Sequence, residues 1–349
     1  MVDQGHDSQP ATAVRGIRHR SIACLIGAVS ADSPQRDRTR LQRFLSSSFE
    51  VERGTRADPA GVRGYPIDFR VKALKTQMWP GFAEDPGAYV WVGPIQRGLG
   101  CFERFVAGEG EQWLAAARAT ADLLVREQRE DGGWEHRFHY PHTFDIGPPW
   151  LSGMAQGEGA SLLCRVHAET GEERYGEAAR RALGPLGRTA AEGGASAPLG
   201  GTLVPEEYPT DPPSLVLNGM IFGLWGLRDV AVSYGDSGAA AAFEAGVDAL
   251  AESIGRWDTG WWSAYDLHPH RVRNVASIGY HALHIAQLEA THLLAPRPAL
   301  AEAAERWRAY AGSPARRARA WGAKVTFRLA VPRNPRVARA LPWAHGGRR

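Results

Sequence analysis

The sequence predicts an all-α fold, an (α/α) toroid or incomplete barrel of about four helical hairpins with small β-hairpins at its mouth. Apolar residues recur at helical spacing in paired segments. The pairs begin near Pro94, Gly153, Ser214 and Ser277, about every sixty residues, as in a supersecondary repeat. Such pairs can stack openly or close into a ring, and we favour closure because it would gather the long polar links at one mouth.

The helices follow from the apolar pattern in order. Pro94 suits a first helical turn, and apolar residues then recur up to Val106. A second amphipathic helix carries an apolar face from Trp113 to Val125 and ends before Gly132. The later pairs are predicted at 156–167 with 175–186, 214–232 with 243–254, and 277–294 with 300–311.

The segments between and around the helices set the predicted domain organisation. Polar, aromatic links are expected at 131–149, 187–213 and 257–276, with β-prone runs at 201–204 and 261–265. We divide the chain into a disordered or loosely attached extension (1–60), an (α/α) barrel catalytic domain (61–312) and a basic, arginine-rich tail (313–349). No helical periodicity is apparent beyond Tyr310.

Charge is distributed unevenly along the 349 residues, whose net charge is +3. Twelve Lys and Arg but no Asp or Glu lie from Arg306 onward, so the preceding chain is net negative. The basic end favours contact with an anionic surface or polymer, the alternative being a solvated extension without a partner. There is no glycine-rich phosphate loop, so we expect no bound nucleotide. We also expect no nucleic-acid partner. A homodimer is left open.

Targeting signals are weak. No apolar run reaches the roughly 18 residues that a spanning helix needs. The segment 15–31 is similar to a signal peptide, but its apolar run is short and contains Gly27. We therefore expect a cytoplasmic protein, with a membrane-peripheral location or export as the alternatives. The three cysteines are far apart, without metal-ligand or disulfide spacing.

Aromatic residues in the links indicate a substrate class. A flat ring beside polar groups packs well against the C–H face of a sugar. The alternative is that these rings pin the links onto the helices. The residues concerned are Trp134, Tyr140, Phe144, Trp150, Trp257, Trp261 and Trp262.

Acid/base candidates fall in three segments. Glu206, Glu207 and Tyr208 share one turn, and Tyr265 precedes Asp266 on a predicted strand. A third group shares one helical face, at positions i, i+4 and i+7, and such polar groups are costly to bury unless a polar ligand satisfies them. Its members are Tyr280, His284 and Gln287. Nearby histidine pairs lack a third ligand at convincing spacing, so no metal and no other cofactor is expected.

Four motifs, in this order along the chain, resemble the C-terminal catalytic domain of the D-glucuronyl C5-epimerase family. They are Met154-Ala155-Gln156-Gly157; Glu206-Glu207-Tyr208-Pro209-Thr210 followed by Leu217-Asn218-Gly219; Asp258-Thr259-Gly260 followed by Tyr265-Asp266-Leu267; and the helix from Tyr280 to Leu288.

The resemblance implies an (α/α) barrel, a uronic-acid-containing poly- or oligosaccharide as substrate, and conversion of glucuronate to iduronate without a cofactor. In the animal enzymes the Tyr-Asp-Leu motif continues with arginine, where this chain has His268, so Arg271 or Arg273 would supply the cation. The implied catalytic residues are Glu207, Tyr208, Tyr265 and Tyr280. The expected substrate-binding residues are Trp150, Gln156, Asn218, His268, Arg271, His281, His284 and Gln287.

Inversion at C5 requires two acid/base groups on opposite faces of the sugar ring, and we assign Glu207 and Tyr280 to them. Three other functions are compatible with the same residues. A uronate lyase shares the first proton abstraction, and a glycoside hydrolase would use Glu207 with Asp266. A carbohydrate-binding protein without turnover is the third.

Overall fold

The computed structural model describes residues 58–74, 90–141 and 143–331. These residues are mostly helical and include two short antiparallel sheets, which confirms the all-α class. The helices are α1 (Arg70–Ala73), α2 (Val92–Val106), α3 (Glu111–Glu127), α4 (Gly153–Thr170), α5 (Glu173–Arg181), α6 (Leu217–Tyr234), α7 (Ser237–Ser253), α8 (Ile278–Leu294), α9 (Pro298–Gly312) and α10 (Pro314–Ala330). The strands are β1 (Tyr140–Pro141), β2 (Asp145–Ile146), β3 (Ser196–Leu199) and β4 (Thr202–Pro205).

Helices α2 to α9 form hairpins between chain neighbours, as the apolar periodicity predicts. The first helices of the hairpins, α2, α4, α6 and α8, also pack against one another in that order. Helices α4 and α6 are buried on all sides over most of their length, whereas α3, α5, α7 and α9 bury one face. The first helices therefore form an inner layer that the second helices cover.

Side-chain caps and glycines set several helix ends. Ser152, Asp236 and Ser277 each accept a hydrogen bond from a backbone N–H of the first turn, at 3.4, 2.9 and 3.3 Å. Helices α4 and α6 end at Gly171 and Gly235, whose φ values of 68° and 66° favour glycine. The starts of α4 and α8 are thus held where the predicted site residues begin.

Glycines bring α4 and α6 into close contact. A Cβ on Gly157 would lie 2.4 Å from Cα of Gly223, and one on Gly226 would lie 2.3 Å from Cα of Gly157. Any larger residue would push the two helices apart. At the N-terminal end of this contact the Gly153 N–H donates to the Glu206 carbonyl at 2.7 Å, which ties α4 to the turn after β4.

The segment ahead of α1 is anchored by two buried arginines. The Arg228 guanidinium donates to the carbonyls of residues 58, 59 and 61. Arg165 donates to the Gly64 carbonyl at 2.8 Å and forms a 2.6 Å ion pair with Asp229. The Tyr65 ring lies in the core beside these groups. The domain boundary at 61 stays a prediction.

Helix α10 lies in the segment where the sequence showed no periodicity. Ser313 caps it, and Phe327 and Ala320 are its buried residues, seven positions or about two turns apart. Its other large apolar residues, Trp321, Val325 and Leu329, are exposed, so the apolar residues of this segment do not mark its buried face. Residues 332–349 and the signal-like run at 15–31 lie outside the described residues, so the expected tail and location stay predictions.

The β-prone run at 201–204 contributes to a hairpin, in which Ser196 pairs with Pro205 and Leu199 with Thr202. The run at 261–265 makes isolated bridges only, from Ser263 to Asp258 and from Ala264 to Val275. Strands β1 and β2 add a small pair that the sequence analysis missed. Across the described ranges, every helix is too short or too polar to cross a membrane.

Candidate active site

Residues from three distant links meet in one aromatic cluster, hereafter the site cluster. It brings together side chains that are far apart in the sequence, including four that the sequence analysis assigned to the site. Its buried members are Phe144, Ile146, Trp150, Val216 and Tyr265, with Phe138, Tyr208 and Tyr280 packed against them.

Glu206 organises the turn that leads into α6. Its carboxylate accepts hydrogen bonds from the Leu215 N–H at 3.0 Å, the Tyr208 N–H at 3.4 Å and the Ser214 hydroxyl. Leu215 has a φ of 46°, rare for a branched residue, and its carbonyl is also held by the Trp257 indole N–H at 3.1 Å. Burial raises the pKa of Glu206 to about 7 despite these bonds. Glu206 therefore shapes the turn that presents its neighbour.

Glu207, the predicted catalytic carboxyl group, is buried, with 7% of its surface exposed. It lies against α6 where Gly219 leaves room, since a Cβ there would be 2.5 Å from Glu207 Oε2. Burial raises its pKa to about 8, a hydrogen bond with Tyr208 acts in the opposite direction, and the charges of Glu206 and Asp266 raise it further. A carboxyl group that titrates near neutral pH can both take and return a proton.

Tyr265 lies at the centre of the predicted catalytic set. Its ring centroid is 4.9 Å from that of Tyr280, with the planes inclined by 71°. Burial, followed by the neighbouring Glu207, Tyr280 and Tyr208, raises its pKa well above the usual value of 10.0. The Tyr265 hydroxyl is therefore a proton-bearing hydrogen-bond donor at neutral pH.

Helix α8 contributes buried polar groups to the same region. His284 Nδ1 lies 3.0 Å from the Ser263 hydroxyl, and burial lowers its pKa well below 6.5, so its ring is neutral. Gln287 donates to the Asn218 carbonyl at 3.0 Å, which joins α8 to the start of α6.

Four of the predicted site residues end in a buried polar atom without a hydrogen-bond partner among the described residues. Such atoms are rare in folded proteins, and a bound polar molecule or ordered water usually satisfies them. Their presence on residues chosen for substrate contact supports a ligand site here. The atoms are Glu207 Oε2, Asn218 Oδ1, His284 Nε2 and Gln287 Oε1.

Two predicted binding residues are used to hold the fold instead. Gln156 accepts from the Trp134 N–H at 2.9 Å and donates to the carbonyls of Gly132 and Ala182. His281 Nε2 donates to the Trp307 carbonyl at 3.0 Å and Nδ1 accepts from the Ser263 N–H at 3.2 Å. These contacts use the polar atoms of both residues to hold the fold, and their role in substrate binding stays a prediction.

His268 and the two arginines expected to supply a cation differ from one another in charge and exposure. His268 Nδ1 lies 3.0 Å from the Pro212 carbonyl, and burial, followed by the nearby His270, lowers its pKa below 6.5. Arg271 and Arg273 are exposed. A neutral His268 is a hydrogen-bonding group and supplies no positive charge at neutral pH.

Four of the seven link aromatics show two different roles. Trp134, Trp257 and Trp262 are fully buried and donate their indole N–H to backbone carbonyls at 2.9, 3.1 and 3.0 Å, so they pin the links to the helices. Trp150 stacks on His136 at 3.8 Å and lies 6.3 Å from Tyr208, which places it at the site cluster.

Two further polar residues belong to this region and were missed from the sequence. The Asn274 amide donates to Asp266 Oδ2 at 2.5 Å and accepts from Lys324 Nζ at 2.7 Å. Lys324 lies on α10, beyond the last recognised motif, so motif matching had no means of finding it. The described residues include no group of three or more His, Cys, Asp or Glu placed to hold a metal ion.

Comparison with known proteins matches this region to one family. A family profile described as the D-glucuronyl C5-epimerase C-terminus matches residues 127–309. A D-glucuronyl C5-epimerase of Caenorhabditis elegans is 33% identical over 219 residues, 58% of this chain and 36% of that protein. An uncharacterized protein of Methanocaldococcus jannaschii is 25% identical over 201 residues, 56% of this chain and 60% of that protein. The matches thus span little more than a third of the worm protein and three fifths of the archaeal one.

Proposed function

Because the chain belongs to the D-glucuronyl C5-epimerase C-terminal domain family, whose profile covers just over half of it, we propose that it is an isomerase of uronic acid residues. Its proposed substrate is a poly- or oligosaccharide containing D-glucuronate, and its product contains L-iduronate. The reaction removes the C5 proton and returns a proton from the opposite face. The net change involves no oxidation and no group transfer.

The convergence of Glu207, Tyr208 and Tyr280 around Tyr265 is the observation that carries this proposal. The C5 proton of a uronate is weakly acidic, so the site must take it with a positioned base and stabilise the enolate-like charge that forms on the carboxylate. A buried carboxyl group with a pKa of about 8 and a set of phenols supply such groups in a site shielded from water.

In the proposed mechanism Glu207 and Tyr280 stand on opposite faces of the sugar ring. One of them accepts the C5 proton as the electron pair moves into the carboxylate, and the other donates a proton to C5 as that pair returns. Tyr265 keeps its own proton and donates a hydrogen bond to the developing charge, because burial raises its pKa. Tyr208 orients Glu207 through their hydrogen bond.

The proposal includes a ring-like arrangement of the hairpins, an (α/α) toroid or incomplete barrel. The successive packing of α2, α4, α6 and α8 supports it, as does the meeting of all three links at the site cluster. A toroid would place the reacting sugar at the end where these links gather.

We extend the proposal to the basic C-terminal segment, which we expect to contact uronate residues beyond the reacting one. Helix α10 contains five basic residues and no acidic one. It packs at the site, where Phe327 lies 5.0 Å from His270 and Arg328 donates to the Thr143 hydroxyl at 2.9 Å. An anionic polymer is the partner that this charge favours.

The decisive experiment is hydrogen exchange at C5. The wild-type protein is incubated in deuterated water with a panel of glucuronate-containing oligosaccharides, and mass spectrometry follows the label. We expect deuterium at C5 without chain cleavage. The ultraviolet absorbance of an unsaturated uronate would establish a lyase, cleavage without it a glycoside hydrolase, and affinity without exchange a binding protein.

A further inference from the structure

A uronate bound at the site cluster brings a negative charge into a region that already holds three acidic side chains. Glu206, Glu207 and Asp266 are all buried there. Placing a carboxylate beside them is unfavourable unless a cation lies close. His268 is neutral, and Arg271 and Arg273 are exposed, so a less exposed cation on another element is the better candidate.

Lys324, on α10, carries its ammonium group to this region. Its Nζ lies 5.1 Å from the centroid of the Tyr265 ring and 5.4 Å from that of Phe327. It donates hydrogen bonds to Asn274 Oδ1 at 2.7 Å and to the Val275 carbonyl at 2.9 Å. The charge is therefore held over the ring at the centre of the predicted catalytic set.

Asn274 links Lys324 to the rest of the site. The side-chain amide of Asn274 donates to Asp266 at 2.5 Å. Its backbone carbonyl accepts from the Tyr265 N–H at 2.7 Å. The lysine, the aspartate and the tyrosine are thus fixed relative to one another by a single residue. His284, whose Nε2 is buried without a described partner, is also within electrostatic range of Lys324.

The position of the lysine is also fixed from its own helix. Ala320 and Phe327, four residues before it and three after it, are buried at 1% and 0% exposure. These spacings place all three on one face of α10. Burial of that face turns the Lys324 side chain toward the site, whereas Arg317 and Arg319 of the same helix are exposed.

We propose that Lys324 supplies the positive charge that binds the uronate carboxylate and stabilises the enolate-like intermediate beside Tyr265 and Tyr280. The inference rests on the proposed function and assigns its carboxylate recognition to α10, a helix beyond the part that matches the family profile. A cation fixed by protein hydrogen bonds in a water-poor site stabilises developing charge without rearranging during the reaction.

Three variants test the assignment: Lys324→Gln removes the charge, Lys324→Arg keeps it, and Arg126→Gln removes an exposed charge on α3 as a matched control. In the C5 exchange assay we expect kcat/KM to fall about 10²-fold in Lys324→Gln, as when one charge-stabilising group is lost. Lys324→Arg should recover most of this loss, and Arg126→Gln should match the wild type.

Binding separates a role in charge recognition from a role in packing. The affinity of each variant is measured for an unsulfated glucuronate–N-acetylglucosamine oligosaccharide and for the same oligosaccharide with its carboxylates reduced to hydroxymethyl groups. The wild type should prefer the charged sugar, and Lys324→Gln should lose that preference. Equal weakening of both sugars would show a packing role and overturn the inference.

The two proposals fail in different ways. If the wild type exchanges C5 protons and Lys324→Gln keeps its rate and its preference for the charged sugar, the assignment of Lys324 is wrong while the epimerase function stands. If the wild type exchanges no C5 proton with any sugar, the epimerase proposal falls, and the binding comparison still decides whether Lys324 recognises a carboxylate.

Discussion

The ring of Tyr280, at the start of α8, faces the ring of Tyr265, in the link before it, with centroids 4.9 Å apart and planes at 71°. This edge-to-face contact joins two elements that each carry a predicted catalytic phenol. Its packing depends on the rings and not on the hydroxyl groups. The chemistry of either tyrosine can therefore be tested separately from its packing.

Replacing Tyr280 with Phe removes a proposed proton carrier and keeps the aromatic contact. We expect C5 exchange in deuterated water to fall by about 10²–10⁴-fold or more, the range for loss of a general acid or base. The melting temperature should stay close to that of the wild type. Tyr175→Phe, on the outer helix α5, is a matched control that loses a hydrogen bond to Asp122 and should keep full exchange. Exchange at the wild-type rate in Tyr280→Phe would remove this residue from the mechanism.

The raised pKa of Glu207 predicts a pH-dependent stability. The folded state holds its proton up to about pH 8, whereas the unfolded state releases it near 4.5. Below pH 4.5 Glu207 is protonated in both states and does not change the free energy of unfolding. Between pH 4.5 and about pH 8 that free energy falls as the pH rises, because only the unfolded state loses the proton. Glu207→Gln cannot ionise, so its stability relative to the wild type should rise from pH 5 to pH 8.5, by at most about 4 kcal/mol.

Chemical denaturation of both proteins at the two pH values measures this difference. A constant difference between Glu207→Gln and the wild type would contradict the raised pKa. The same variant should lose C5 exchange at every pH, since the amide neither accepts nor donates the reacting proton.

Gly219 sets the position of the Glu207 carboxyl group. A Cβ at 219 would lie 2.5 Å from Glu207 Oε2 and 2.6 Å from its Cβ, so Gly219→Ala must displace that side chain. We expect at least about a 10-fold loss of kcat in the exchange assay, because small misplacements of reacting groups are costly. The control is Gly322→Ala on α10, which has no atom within 4 Å of the added Cβ. It should keep full activity and gain about 0.5–1 kcal/mol of stability. Normal kcat in Gly219→Ala would mean that the position of Glu207 does not limit the reaction.

The basic face of α10 should contribute to polymer binding and not to the chemical step. Replacing Arg316, Arg317 and Arg319 with Gln should weaken binding of a long glucuronate polymer and flatten its dependence on salt. Exchange on a short oligosaccharide should be unchanged, since Arg316 and Arg319 lie over the rings of Tyr310 and Trp261, which are outside the site cluster. Titrations at several salt concentrations measure the effect. Unchanged polymer affinity, with loss of binding to anionic lipid vesicles instead, would assign the segment to a membrane surface.

The sequence by itself determined the helical hairpins and the family, and it proposed the acid/base set. Helix periodicity and capping residues such as Ser152, Asp236 and Ser277 are local properties, and local interactions fix where helices begin and which face turns inward. The motifs around Glu207, Tyr265 and Tyr280 identified the family that the profile later matched.

Only the tertiary structure decided what each inward polar group does. Gln156 and His281 are buried, and they form hydrogen bonds with backbone carbonyls of other elements. Lys324 lies more than forty residues after Tyr280 and joins the site through Asn274 and the buried side of α10. The hydrogen-bond partner of a buried polar atom often comes from a segment distant in the chain. Local sequence patterns therefore cannot predict which partner it will be.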